Sequence, residues 1–542
     1  TDELFRELNE LNEKGGFLTY DYGSALAPDA TKVLHALSNQ KRLKNKLTLK
    51  DRISLTKVLV SACFEAVEPS LMARYANACI TLWRGFRTSR ELYSPEAQGI
   101  VSWRNLYLLV RNYVVLGDVP LIYSRNPSRD RTPAEIALAL TKLLRPTIVA
   151  SESEICEVYD ELLSFIDPCG HTGVSTLAVL ESLHALTPYR DPNARKIVPM
   201  LFELWNLVPR EIASRYILAS VADFVEQGVL SGTPSYISES QLRVCFQGVL
   251  HALMIPLNGS RSTDGVQETL MRMIGLNSLQ FAKLVVWSIT PDNTASLDLL
   301  KSLVTALESF THPSNAGLWT ALIMAMLVDI GEEYLYRSNM ESELNIEPSM
   351  RLTTELNTRF ALIMFKPAFL GLFNSQPVVF NAAGKTCQYL AALCPEVIVS
   401  KMLGEFYSVL QQAFIHPQRL IAAISGLALI ARQLVDFPQF KMHVTTLLEL
   451  TLPSIDINEP GRCVLALAFF QRIASLTTFE DLSDPQSVGL AAQWLPVAVE
   501  NLVESSNDPG SVASIHIDDE TIAQICKGST AAYPDIIANY MR

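Results

Sequence analysis

The stretch Thr311–Trp319, THPSNAGLW, separates two apolar patterns of helical period. Before it, Leu299, Leu300, Leu303, Val304, Leu307 and Phe310 form one stripe; after it, Trp319, Leu322, Ile323, Met326, Leu327 and Ile330 form another. Each stripe repeats every three or four residues, as the buried face of a helix does. Pro313 lacks a backbone N–H and disfavours helix at His312, so the first helix is expected to stop there. Ser314 or Asn315 is the expected cap of the second helix, with Trp319 buried behind the corner. A tight helix–turn–helix corner of this kind becomes a solenoid when it is repeated.

Working outward, helix-period patterns run along the whole chain and no convincing alternating strand interrupts them. Prolines punctuate them, among them Pro146, Pro168, Pro188, Pro199, Pro209, Pro256, Pro291, Pro313, Pro367, Pro395, Pro417, Pro438 and Pro453. Many fall between apolar stripes, where a turn is needed. The clearest repetition lies in the C-terminal half. Val379–Leu393 reads as a helix, Val397–Phe414 as its partner, Leu420–Val435 and Phe440–Leu452 as the next pair, and Cys463–Leu476 as a further helix. His416-Pro417 repeats the His312-Pro313 corner. Units of about 40–47 residues are the HEAT and armadillo period. Gly228–Ser238 and Ser338–Ser349 read as loops.

The composition agrees with a large core. Of 542 residues, 49% are hydrophobic and 18% charged, which favours burial over disorder. The net charge of −12 argues against general nucleic-acid binding, because phosphate contacts need Lys and Arg. The nine cysteines contain no CxxC, so buried thiols in a reducing compartment fit better than a metal cluster or a disulfide framework. The N-terminal residues lack an apolar signal core. No apolar run reaches the roughly 18 residues of a membrane span, and Ile421–Ala431 reads as a short buried helix. From Ile473 to Cys526 there is no Lys or Arg but there are nine acids. This stretch reads as a solvated linker with exposed helix faces, or as a docking strip for a basic partner.

Candidate chemistry is sparse. Gly384-Lys385-Thr386 matches the end of a phosphate-binding loop, but Val379 occupies the position of the motif's first glycine and the segment reads as mid-helix. None of the eight histidines forms HExxH or a zinc-finger spacing. His312 and His416 are expected to cap helices at their corners. No nucleophile signature is present, so catalytic and metal residues are both read as none. Lys41, Arg42, Lys44, Lys46, Lys50 and Arg52 form the strongest basic run. It reads as a solvated face or loop, with an anionic-ligand site or a nuclear-import signal as alternatives. Trp83, Phe86, Trp103, Tyr107 and Tyr113 interleave with Arg84, Arg87, Arg104 and Arg111. Packed corners with snorkelling arginines explain this more simply than base stacking.

The corner His312–Asn315, with Gly317 and Trp319, resembles the large single-chain HEAT-repeat activators of the 20S proteasome, the subunit 4 type of cap. Further segments match in order: Trp103–Tyr107 (WRNLY), Leu143–Pro146 (LLRP), Pro367–Phe373, Ala382–Pro395 (AAGKTCQYLAALCP), Ile421–Leu434 (IAAISGLALIARQL) and Leu452–Cys463 (LPSIDINEPGRC). The resemblance spans roughly residues 100–480, and its strength is the order of several weak matches. It implies an all-α, HEAT/armadillo-like α-solenoid of stacked antiparallel helix pairs. The expected division is an N-terminal helical segment over 1–120, HEAT-like repeats over 121–480, and an acidic loop with terminal helices over 481–542.

The resemblance also implies a function without enzymatic chemistry. It would be an ATP-independent activator that caps the 20S α-ring and promotes gate opening and ubiquitin-independent degradation, with roles in DNA repair and histone degradation. The implied substrates are peptides and unfolded or acetylated proteins, histones among them. The implied location is nucleus and cytoplasm, with no direct nucleic-acid or membrane partner. Inositol phosphate is the one ligand the family implies, and no residue here maps to its site. The family's gate-opening tail is hydrophobic-Tyr-X, whereas Tyr540 stands third from the end of Asn539-Tyr540-Met541-Arg542. The chain is therefore expected to be an N-terminal portion that opens the gate weakly alone. An importin-like carrier or other HEAT scaffold is the alternative.

Overall fold

The computed structural model describes residues 47–66, 69–84, 91–116, 132–166, 176–207, 210–232, 237–252, 278–313, 315, 318–412, 417–456 and 458–477. The regular secondary structure of its described residues is helical, with no strand among them beyond a single bridge between Thr290 and Asn293. The fold is the all-α solenoid type expected above. Contacts divide the chain into two compact units, Thr1–Tyr236 and Ile237–Arg542.

In the first unit the helices are α1 (Leu49–Glu65), α2 (Pro69–Leu82), α3 (Trp103–Val110), α4 (Pro133–Leu144), α5 (Glu152–Ser164), α6 (Thr176–Leu186), α7 (Ile197–Leu207) and α8 (Arg210–Leu230). Their starts are written in the sequence. Thr48, Thr132 and Ser151 each accept a hydrogen bond from the N–H of the third helical residue, and that residue's carboxylate accepts one from the cap's N–H. These capping boxes satisfy donors that a helix start otherwise leaves open. α1 packs on α2, α2 on α4, and α6 on α8. The indole N–H of Trp83 donates to Thr56 at 2.7 Å, and that of Trp103 to the carbonyl of Leu186 at 3.0 Å.

In the second unit the helices are α9 (Glu239–Ala252), α10 (Ala295–Ala306), α11 (Leu318–Met340), α12 (Thr354–Gly371), α13 (Pro377–Leu393), α14 (Pro395–Leu410), α15 (Pro417–Asp436), α16 (Pro438–Lys441), α17 (His443–Thr451) and α18 (Pro460–Leu476). Residues 278–287 are also helical. α11, α13, α15 and α18 pack successively as one layer, and α10, α12 and α14 form the layer against it. Neither helix of a pair buries its apolar face alone; stacking completes the core. Five prolines of this unit share one place. Pro377, Pro395, Pro417, Pro438 and Pro460 each stand at the first position of a helix. There the missing N–H costs nothing and the fixed φ already suits the helix.

Several boundaries differ from the sequence reading. Pro367 does not break a helix but lies inside α12. Gly228–Leu230 belong to α8, so that loop begins at Ser231. Phe440–Leu452 is two short helices, α16 and α17. The helix before the Pro313 corner ends at Ala306, followed by a 3₁₀ turn over Glu308–Thr311. α11 begins only at Leu318, so Ser314 and Asn315 precede the cap position; Asn315 instead donates its N–H to His312 O at 2.9 Å. The hydroxyl of Thr320 donates to Phe310 O at 2.8 Å and ties α11 back to the turn. The Trp319 side chain lies outside the described residues. α15 extends to 20 residues and is apolar enough to cross a membrane, longer than the sequence reading allowed; 67% of its apolar window is buried, as in a core helix.

Candidate interaction sites

Gly384-Lys385-Thr386 sits in the middle of α13, not in a loop. A Cβ at Gly384 would stand 2.7 Å from Leu429 Cδ1, so glycine is there to admit α15. Thr386 donates its hydroxyl to Ala382 O within the helix at 3.1 Å. The backbone amides of this segment are used by the helix, leaving no cradle for phosphate. Of the basic run, Lys50 is exposed but Arg52 is 7% exposed and ion-paired with Glu91 at 2.7 Å. Arg52 is thus part of the core rather than of a solvated face. Lys41–Lys46 lie outside the described residues.

Trp83, Trp103 and Tyr107 are buried, which supports packing over base stacking; Phe86 and Arg87 lie outside the described residues. His312 is exposed, and His416 lies outside the described residues. So do most of the acidic stretch, residues 478–526, and the tail at Tyr540. Cys63, Cys79, Cys245, Cys387 and Cys394 are buried, while Cys156 is exposed. Burial pushes the thiols of Cys79 and Cys245 up to about 12, so they stay protonated at neutral pH. Among the described residues no three metal-capable side chains come together.

Two polar clusters were not foreseen. In the first unit a cavity of about 310 Å3 is lined by Tyr93, Arg145, Tyr189, Arg190 and Gln227. Arg145 donates to His184 O at 3.1 Å and to Asp223 at 3.0 Å, and its guanidinium lies 4.5 Å from the Tyr189 ring centre. Arg190 donates to Gln227 at 2.8 Å and lies 3.9 Å from the Tyr93 ring centre. His184 Nδ1 is 2.9 Å from the Tyr189 hydroxyl and 3.4 Å from Ser220 Oγ. Ser220 is 3% exposed, and its contact with His184 joins α6 to α8.

In the second unit the side chain of Arg337 is wholly buried. It donates to Val286 O at 2.6 Å, Ile289 O at 2.8 Å, Met350 O at 2.9 Å and Glu341 at 3.2 Å. Glu341 also accepts the N–H of Leu352 at 3.0 Å. One guanidinium therefore closes the end of the helical residues 278–287 and holds the loop after α11. Burial draws Arg337 down and pushes Glu341 above the usual carboxylate range, each opposed by the other's charge. The only local hint in the sequence is the i, i+4 pair itself.

Residues 300–542 match the family described as proteasome activator complex subunit 4, mid HEAT repeats region. Over those residues the chain is similar to the middle HEAT-repeat region of that family. Relatives carry the similarity across most of the chain. Proteasome activator complex subunit 4A of Danio rerio is 25% identical over 460 residues, 81% of this chain and 24% of that one. Proteasome activator BLM10 of Saccharomyces cerevisiae is 22% identical over 420 residues, 72% of this chain and 19% of that one. Proteasome activator complex subunit 4 of Homo sapiens is 28% identical over 256 residues, 45% of this chain and 13% of that one. The chain spans about a quarter or less of the length of these relatives. The resemblance first seen at the Thr311–Trp319 corner is thereby borne out.

Proposed function

We propose that this chain is part of the HEAT-repeat wall of a proteasome activator and acts by binding proteins rather than by catalysis. The observation that carries the reading is the coincidence of the family match, beginning at residue 300, with the paired helices α10 to α18. Stacked pairs make a continuous core with a long outer surface, which suits engagement of a large partner. The partner is the α-ring of the 20S core particle, where the activator promotes gate opening without ATP. Its substrates are peptides and unfolded or acetylated proteins, histones included, and it works in the nucleus and the cytoplasm. Area alone does not fix affinity, so a single section of the wall is expected to bind more weakly than the whole.

Native-gel titration of the 542-residue chain against latent 20S core tests this. Saturable co-migration supports the reading. No shift at any concentration, together with saturable binding to a small GTPase, would support a carrier instead.

A further inference from the structure

A pocket of about 640 Å3 opens in the second unit on the side of the helix corners. Phe369, Leu370 and Phe373 from the end of α12 line it, with Pro313 at the rim. The rings of Phe369 and Phe373 meet edge to face at 5.3 Å and 77°, and Phe373 is half-buried, so part of its ring is open to the pocket. Two exposed charges of opposite sign, Arg419 and Glu405, also line the pocket. The Arg419 guanidinium lies 5.9 Å from the centre of the Phe373 ring. Neither charge takes part in an ion pair among the described residues.

The rim is held in place by one buried side chain. Asn374 is 0% exposed and donates its amide to Asn315 O at 2.9 Å. Its side-chain oxygen accepts the N–H of Gln376 at 2.9 Å, and its backbone carbonyl accepts the amide of Gln418 at 3.2 Å. Asn315, the turn before α13 and Gln418 in the first turn of α15 are thereby tied together beside the pocket. A pocket fixed in advance loses little entropy on binding. Its volume is in the ordinary range for ligand sites, roughly 300–1,000 Å3, and its few polar groups converge on an aromatic floor.

We propose that this pocket binds a short peptide segment. An aromatic or large aliphatic side chain sits on Phe373, an acidic group meets Arg419, and a basic group meets Glu405. The paired opposite charges select a dipolar peptide over a phosphate-bearing ligand, because Glu405 repels an anion that Arg419 attracts. The proposal does not rest on the proteasome reading, so it is tested in the absence of 20S core.

The probes are fluorescein-labelled Asp-Phe-Phe-Lys and Lys-Phe-Phe-Asp, capped at both ends, with Asp-Ala-Ala-Lys as control. Binding to the intact 542-residue chain is read by fluorescence anisotropy. One Phe-containing probe is expected to bind saturably and about tenfold more tightly than the control, a difference of ~1.4 kcal/mol for one aromatic contact. Phe373→Ala should weaken it about tenfold. Arg419→Glu should weaken it similarly, and replacing the probe's Asp by Lys should restore binding to that variant. Arg419 is exposed, so its variant keeps the fold and decides the matter if Phe373→Ala unfolds. Equal binding of the control, no binding of either Phe probe, no effect of Arg419→Glu, or full displacement by inorganic phosphate would each overturn the proposal.

Discussion

Replacing Arg337 by Met should destabilise the second unit by about 3–5 kcal/mol at neutral pH, the cost of breaking a buried pair by removing one partner. Met is unbranched and close to Arg in volume although it ends short of the guanidinium, so packing along the stem is kept and the loss is mainly electrostatic. Glu341, 6% exposed, would keep its charge without a cation, and the carbonyls of Val286, Ile289 and Met350 would lose a donor. Glu341 already has its carboxyl above the ordinary range through burial, and without Arg337 it rises further. A carboxyl whose folded pKa exceeds its unfolded value penalises folding above the folded pKa. The penalty fades as pH falls toward the unfolded value of about 4.3. The deficit of Arg337→Met relative to the natural chain should therefore shrink between neutral pH and about pH 5. Arg337→Met combined with Glu341→Gln should recover part of the loss at neutral pH and show little of this pH dependence. Urea unfolding followed by tryptophan fluorescence measures each, with Trp287 reporting because its ring centre lies 5.2 Å from the Arg337 guanidinium. A deficit under about 1 kcal/mol, or one that does not change with pH, would refute the argument.

Three further outcomes are expected. Gly426→Ala should destabilise by about 1–2 kcal/mol, since its Cβ would enter the space of the buried Phe406 ring, whereas Gly404→Ala, with open space at its Cβ, should stabilise by about 1 kcal/mol; chemical denaturation that gives both changes the same sign would contradict this packing. His443 is buried, its Nδ1 2.9 Å from the Tyr407 hydroxyl, and burial holds its pKa below the ordinary value. Stability should fall as pH drops below about 6.5, where the unfolded chain takes up the proton first, and His443→Asn should flatten that slope in pH-dependent melting curves. Asp223→Ala should cost about 3–5 kcal/mol by leaving Arg145 without its carboxylate, while Asp298→Ala, which removes an exposed partner of Arg359, should cost under about 1 kcal/mol in the same assay.

Helix type and much of the pairing were legible because both rest on local signals. Apolar stripes of helical period mark the buried faces, and a proline that lacks an N–H fits the first position of a helix. The mid-helix reading of Gly384-Lys385-Thr386 also followed from local pattern. What the sequence hid depends on distant partners. Pro367 reads as a breaker, yet packing of its neighbours Ala368 and Phe369 keeps it within α12. Arg52 reads as one more member of a basic run until Glu91 is brought against it. Arg337 gains its importance from carbonyls at Val286, Ile289 and Met350, which no periodicity links to it. The pocket at Phe373 is assembled from Pro313, the end of α12, Glu405 of α14 and the first turn of α15, which only the stacking of pairs brings side by side.

The central proposal is that this chain forms part of the HEAT-repeat wall of a proteasome activator. The most direct measurement uses the natural protein in its full extent, titrated into latent 20S core with a fluorogenic peptide and no ATP. The account predicts co-migration with the core and a saturable rise in hydrolysis. Failure of the full protein either to bind the core or to raise hydrolysis would contradict it.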